Sequence, residues 1–221
     1  MPVIKRLIHF LVPDTCLYCG SEGSMACHGC LPWMVTPKSS TCFLCNRQTR
    51  DFATCQRCAR KTPLSRVYIA GYYEGYTKEL VFRLKYHNGV SAAASLAALM
   101  EECLRRDCDV IVPVPASSRR FRQRGYNQAV LLSKHLSRQH GAPHVEALGR
   151  VGQSRQVGVD RKSRLTQLQG DIYARKERLV RGQRVLLVDD VLTTGTTLHE
   201  CAAALKRAGA RSVDAVVAAK H

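Results

Sequence analysis

The sequence has no apolar run approaching the roughly 18–20 residues that a transmembrane helix needs. Its opening stretch places Lys5 and Arg6 ahead of a short apolar segment, residues 7–12. Neither the longer apolar run nor the small-residue cleavage site of a secretory signal follows. A cytoplasmic chain with no membrane span is therefore expected. Acidic residues are also scarce: 17 Asp/Glu stand against 34 Lys/Arg, for a formal charge of +17. The shortage is local. Residues 1–66 carry nine Lys/Arg and three Asp/Glu, a balance of +6, and residues 117–165 carry eleven and two, a balance of +9. Positive charge concentrated in this way suits an anionic partner such as phosphate, pyrophosphate or a nucleic-acid backbone, although a merely solubilising basic surface has the same composition. At 221 residues and 45% apolar content, the chain has room for one small domain and one medium α/β domain with an ordinary core.

Cysteine is abundant, with eleven residues. In a cytoplasmic chain this points to metal rather than disulfides. Eight of them form four Cys-x-x-Cys pairs: Cys16/Cys19, Cys27/Cys30, Cys42/Cys45 and Cys55/Cys58. A two-residue gap lets both thiolates of a tight turn reach one ion, and two such turns complete a tetrahedral sulfur site of the kind that favours zinc. An iron–sulfur cluster would use the same donors. Sequential pairing gives two sites in a tandem zinc ribbon, and interleaved pairing stays open. With four protein ligands each, two Zn²⁺ ions would be structural, leaving no position for catalysis. Residues 1–64 are expected to form this module. Having few large apolar residues, the module should depend on its ions to fold. Cys103, Cys108 and Cys201 lie outside the pattern, and Cys201 falls on the apolar side of a helical repeat.

From residue 65 onward strands and helices alternate. Residues 67–73, 110–115, 184–188 and 212–219 read as strands, and 77–86, 91–106, 126–139 and 197–208 as helices. This order predicts a parallel sheet with helices on both faces. The most informative run is 185–197, VLLVDDVLTTGTT. Four apolar residues form a strand. Asp189 and Asp190 stand at its carboxyl end, where open α/β sheets bind ligands. Thr193, Thr194, Gly195, Thr196 and Thr197 then turn into a helix whose N-terminal N–H groups and hydroxyls suit an anion. Carboxylates that accept from a diol, beside a loop that holds a phosphate, fit a ribose phosphate. An ordinary strand–helix turn would need neither the double acid nor four threonines.

This run resembles the 5-phosphoribosyl-1-pyrophosphate (PRPP) motif of type I phosphoribosyltransferases. Taken in order, the four Cys-x-x-Cys pairs, Lys85-Tyr86 after an apolar helix, 112–128 (VPVPASSRRFRQRGYNQ) and the 185–197 run resemble the ComF family of competence and DNA-utilisation proteins over essentially the whole chain. The resemblance implies a type I phosphoribosyltransferase-like parallel sheet behind an N-terminal four-cysteine zinc ribbon. It makes Ser117, Ser118 and Arg119 the pyrophosphate loop. It places Arg120, Arg122, Arg124, Tyr126 and Asn127, together with Arg155, Arg161 and Arg164 of a mobile loop, on a basic track for pyrophosphate or nucleic acid. Gln167 and Ile172 depart from the family pattern, which has Asn and Phe there.

As an enzyme, such a protein would transfer a phosphoribosyl group from PRPP with Mg²⁺ on the pyrophosphate, and Asp189 and Asp190 would favour positive charge at C1. No acceptor pocket is readable. The rival class is a binding protein that holds PRPP and single-stranded DNA in natural transformation, working with DNA-uptake or recombination proteins. Stacking aromatics for a single strand are few in 117–165, only Phe121 and Tyr126, while the cysteine segment adds Tyr18, Trp33, Phe43 and Phe52.

Overall fold

The computed structural model describes residues 14–34, 39–86, 89–151 and 171–221. After two one-turn helices, α1 (Leu31–Met34) and α2 (Gln56–Ala59), come β1 (Arg66–Tyr72), α3 (Gly75–Tyr86), α4 (Gly89–Cys103), β2 (Val110–Pro113), α5 (Ser118–Arg124), α6 (Gln128–His140), β3 (Leu148–Arg150), β4 (Ile172–Ala174), β5 (Arg184–Leu192), α7 (Thr196–Arg207) and β6 (Ser212–Lys220). Four strands form one parallel sheet in the order β1-β6-β5-β2, and β3 and β4 pair antiparallel beside it. The expected parallel α/β sheet is present. Helices α3, α4 and α6 pack together on one face, and α7 covers the other with β3 and β4. With both faces covered, Val185 to Val188 are all buried, which is why that segment is a continuous apolar run and not an alternating one.

The helices follow from their sequence pattern and their ends. In α6, Asn127 accepts from Ala129 N at 3.1 Å as the N-cap, Leu132 and Leu136 are buried, and Gly141 closes the helix at φ 77°. In α7, Leu198, Cys201 and Leu205 face the core, and Gly209 at φ 90° follows its end. Burial pushes the Cys201 thiol well above its ordinary pKa, so this cysteine is a core residue and not a nucleophile. No helix among the described residues is long and apolar enough to cross a membrane.

Two features differ from the sequence-based expectation. Residues 118–124 are a helix with no buried residue, not a loop. Ser117 caps it, accepting from Arg120 N at 3.3 Å, and Gly125 ends it at φ 76°. Strand β5 also runs on through both acids to Leu192, because its pairing with β6 continues to Leu192↔Lys220.

The cysteine segment joins this core. Cys16, Met25, Leu31, Phe43 and Phe52 belong to the same buried cluster as the sheet residues. Thr54 N donates to Ser65 O at 2.9 Å, Val67 N to Phe52 O at 3.2 Å, and the Phe52 and Tyr68 rings lie 5.7 Å apart.

Candidate functional site

Each cysteine quartet converges. The ligand atoms of Cys16, Cys19, Cys27 and Cys30 lie within 4.8 Å of one another, and so do those of Cys42, Cys45, Cys55 and Cys58, which selects sequential over interleaved pairing. A tetrahedral ion with metal–sulfur bonds of about 2.3 Å needs sulfur–sulfur edges of about 3.8 Å. Cys19 and Cys27 Sγ are 3.7 Å apart and Cys45 and Cys55 Sγ 3.6 Å, so both quartets fit such an ion. The turns aim backbone N–H groups at the sulfurs. Those of Cys19 and Cys27 bring the Cys16 thiol down to about 6. Burial works against Cys42, yet the N–H groups of Cys55, Leu44 and Cys45 bring it to about 7. The neighbouring Cys27 thiol and then burial drive Cys30 the other way, and burial followed by the Cys55 thiol does the same to Cys58, each to about 12. Four sulfurs packed this closely share negative charge poorly without a cation between them.

A cleft of about 150 Å³ opens at the carboxyl end of β5, lined by Lys85, Arg120, Arg124, Asp189, Asp190, Thr193 to Thr197 and His221. Consecutive strand residues point to opposite faces. Asp190 turns towards α3, where Lys85 Nζ stands 3.3 Å from its Oδ2, both side chains being mostly buried. Asp189 turns towards α5 and α7. Its carboxyl is held well above the usual range, first by burial and then by the Asp190 charge, with Arg120 opposing. Each acid also accepts a backbone N–H at 2.9 Å, Asp189 from Asp190 and Asp190 from Val191. Beyond them Gly195 adopts φ 81° as the N-cap of α7, and no side chain caps this helix. Thr196 N, the first amide of α7, lies 3.4 Å from Thr194 Oγ1, and residues 193–198 line the cleft, so the start of the helix is presented to it. Thr194 and Thr196 hydroxyls meet at 3.0 Å across the loop.

The helical form of 118–124 sorts the basic residues. Arg120 and Arg124, four apart, share the face towards the acids, and Arg124 also lies over the Tyr86 ring at 5.5 Å. Ser118, Phe121 and Arg122 line a separate cleft of about 460 Å³ with Asn127, Glu146 and Arg175, and Arg119 is exposed. The Arg-Gly-Tyr-Asn-Gln run acts largely as internal bracing. Arg124 Nη1 donates to Gln128 Oε1 at 3.0 Å, Tyr126 donates to Leu84 O, and Asn127 Nδ2 donates to Val114 O at 2.9 Å. Arg155, Arg161 and Arg164 lie outside the described residues. The structure adds cleft residues that pattern reading left without a role: Lys85, which was visible only as part of a family order, and His221, whose ring lies 4.2 Å from that of Tyr73. No local motif marks His221.

A parallel sheet with paired acids leading into a threonine–glycine helix start defines a phosphoribosyltransferase-type domain. The family model described as "Phosphoribosyl transferase domain" matches residues 85–221. Among curated proteins, the chain is similar to competence protein F of Haemophilus influenzae, at 30% identity over 90% of this chain and 93% of that one. It is similar to competence protein ComFC of Bacillus subtilis at 28% identity, over 91% of each chain. It is also similar to the DNA utilization protein YhgH of Escherichia coli, at 32% identity over 78% of this chain and 86% of that one. The chain belongs to the ComF family of competence and DNA-utilisation proteins, with a phosphoribosyltransferase-type domain.

The cluster geometry carries a first prediction. Elemental analysis of purified protein should find two zinc ions per chain, and chelation should unfold residues 16–58 and, because Phe43 and Phe52 share the core of the sheet, lower the melting temperature of the rest. Iron, or fewer than two metals per chain, would contradict the two closed zinc sites.

Proposed function

We propose that this chain binds PRPP in the β5–α7 cleft and single-stranded DNA on its basic surface, as a cytoplasmic component of DNA uptake working with uptake or recombination proteins. On this reading residues 1–64 are a zinc-ordered module and residues 65–221 the phosphoribosyltransferase-like domain. One observation supports the ligand assignment above others: two carboxylates, a helix start with glycine at its N-cap and two arginines line the same cleft. These are the groups a phosphorylated ribose carrying pyrophosphate requires. The acids accept from the ribose hydroxyls. The 193–197 backbone and hydroxyls hold the 5′-phosphate. Arg120 and Arg124 present planar donor forks to the pyrophosphate. Asp189 and Asp190 are the carboxylates lining this cleft, so they are the oxygen donors available to a Mg²⁺ ion carried on the pyrophosphate. Such an ion would neutralise the leaving group.

The enzymatic alternative is transfer of the phosphoribosyl group to an acceptor with release of pyrophosphate. It uses the same cleft and the same acids. Pyrophosphate release in the presence of candidate acceptors favours it, and PRPP binding without turnover favours the binding protein.

The DNA reading draws on charge and exposed rings. Arg119 and Arg122 are exposed on α5 with Phe121 beside them. Trp33 is 74% exposed, Tyr86 54% and Tyr18 53%. Exposed rings beside exposed cations are the stacking platforms and phosphate contacts that a single strand uses.

Two outcomes test these assignments. The Asp189→Asn/Asp190→Asn double variant keeps the side-chain oxygens that accept from Asp190 N and Val191 N, so it should fold. It should lose PRPP binding, with each missing charge-assisted hydrogen bond worth about 1.5–3 kcal/mol. Equal calorimetric affinity in parent and variant would defeat the site. Replacing Arg119, Arg120 and Arg122 with Ala should weaken single-strand binding and flatten its log–log salt slope by about 2, since each neutralised phosphate contributes about 0.7. An unchanged slope would move the contact away from α5.

A further inference from the structure

The two cysteine clusters meet the rest of the protein in different places. The first sits on the helical layer: Ala26 N donates to Ser95 Oγ of α4 at 3.2 Å, and Tyr18 packs on Tyr76 of α3 with ring centroids 5.8 Å apart. The second touches the loop between β5 and α7. Phe43, inside the Cys42–Cys45 turn, is buried, and a Cβ added to Gly195 would come within 3.1 Å of its Cε2. Glycine at φ 81° thus serves the helix start and also makes room for this ring. The same turn is held a second time. Lys220 Nζ donates to Asn46 Oδ1 at 2.5 Å and to Phe43 O at 3.4 Å. Lys220 ends β6 and pairs with Leu192, the residue just before the loop. His221, next to it, donates its N–H to Leu192 O at 3.1 Å and lines the cleft with its side chain. The loop is therefore held at both ends by one metal-binding turn, at Leu192 through Lys220 and at Gly195 through Phe43.

We propose that Phe43 and Lys220 are positioning residues for the 193–197 loop, so that metal occupancy of the second cysteine cluster, and not of the first, sets the loop's affinity for a phosphoribosyl ligand. The inference rests on the reading of 193–197 as a phosphate loop given above. Its physical basis is the conformation of the turn. Asn46 is at φ 56°, and the turn is closed by Asn46 N donating to Cys42 O at 2.8 Å. Cys42 and Cys45 converging on an ion with Cys55 and Cys58 supply the cross-link that holds it. Without that cross-link Phe43 loses its fixed seat against Gly195, and the N–H groups at the start of α7 lose their alignment. Coupling between two binding equilibria is reciprocal, so a ligand in the loop must also retain the ion in the second cluster.

Two measurements on the whole chain test this. The first is amide hydrogen exchange at residues 199–202, the first amides bonded within α7, in the parent, in Phe43→Ala and in Tyr18→Ala. Phe43→Ala should speed exchange there about tenfold or more, Phe43→Leu should restore most of the protection, and Tyr18→Ala should leave it unchanged. Should Phe43→Ala fail to retain two metals, Lys220→Met removes the second tether while leaving every residue of the cysteine turn in place and should show the same local loss. Parent-like exchange in a variant that retains both metals overturns the proposal, whether or not PRPP binds. The second is transfer of zinc to a colorimetric chelator with and without PRPP and Mg²⁺. Release should be biphasic, with PRPP slowing one phase only, and Phe43→Ala should abolish that slowing. PRPP binding that slows both phases, or neither, overturns the proposal. A parent that binds no PRPP removes the phosphate-loop reading instead, and the exchange measurement then decides the positioning role by itself.

Discussion

Two carboxylates on consecutive residues of a buried strand are the constraint around which this protein is arranged. Asp189 and Asp190 leave β5 in alternate directions yet line one cleft, and the charge of Asp190 disfavours charge on Asp189. Lys85 of α3 serves Asp190 from one side, and Arg120 of α5 acts on Asp189 from the other. Each cation stands on a helix that must itself be held. The α3 end is fixed by Tyr126 donating to Leu84 O, and α5 is joined to α6 through the Arg124–Gln128 bond. The Arg-Gly-Tyr-Asn-Gln run is thus best understood as a frame that brings cations to the acids. A ligand bearing hydroxyls on one side and phosphates on the other would complete a charge balance that the protein leaves partial.

The same logic explains why the cysteine segment is not an appendage. A separate domain has its own core and few contacts across its boundary. Here Phe43 and Phe52 are part of the core, and Lys220 ties the last residues of the sheet to the second cysteine turn. The module stands beside the cleft, where an α/β ligand site otherwise needs a covering element.

Much of this was legible from residue pattern because the signals were local. Buried strands appear as VIVP and VLLV, helices α4, α6 and α7 carry apolar residues at i, i+3 and i+7, and cysteine spacing gives four pairs and two four-sulfur sites, whose grouping the structure then selects. What stayed hidden was set by tertiary contacts. Helix α5 has no buried residue and hence no apolar period to detect. Strands β3 and β4 are three residues each and exist by pairing with one another. The acids lie inside β5 and not past it because the ladder with β6 continues, and a partner strand cannot be read from the run itself. The consequence for the site was specific: a basic loop was expected to present Ser117, Ser118 and Arg119, while the helix presents Arg120 and Arg124 to the cleft. Lys220 and Phe43, 177 positions apart, share no motif at all.

On the proposed function, the β5–α7 cleft binds a ribose diol and a phosphate together. Competition calorimetry with PRPP as the tight ligand addresses it most directly. Ribose 5-phosphate should displace PRPP, because it fills both the diol and the phosphate positions, while a free nucleobase should not. Displacement by the nucleobase with none by ribose 5-phosphate would contradict a diol-and-phosphate site and place the recognised group elsewhere.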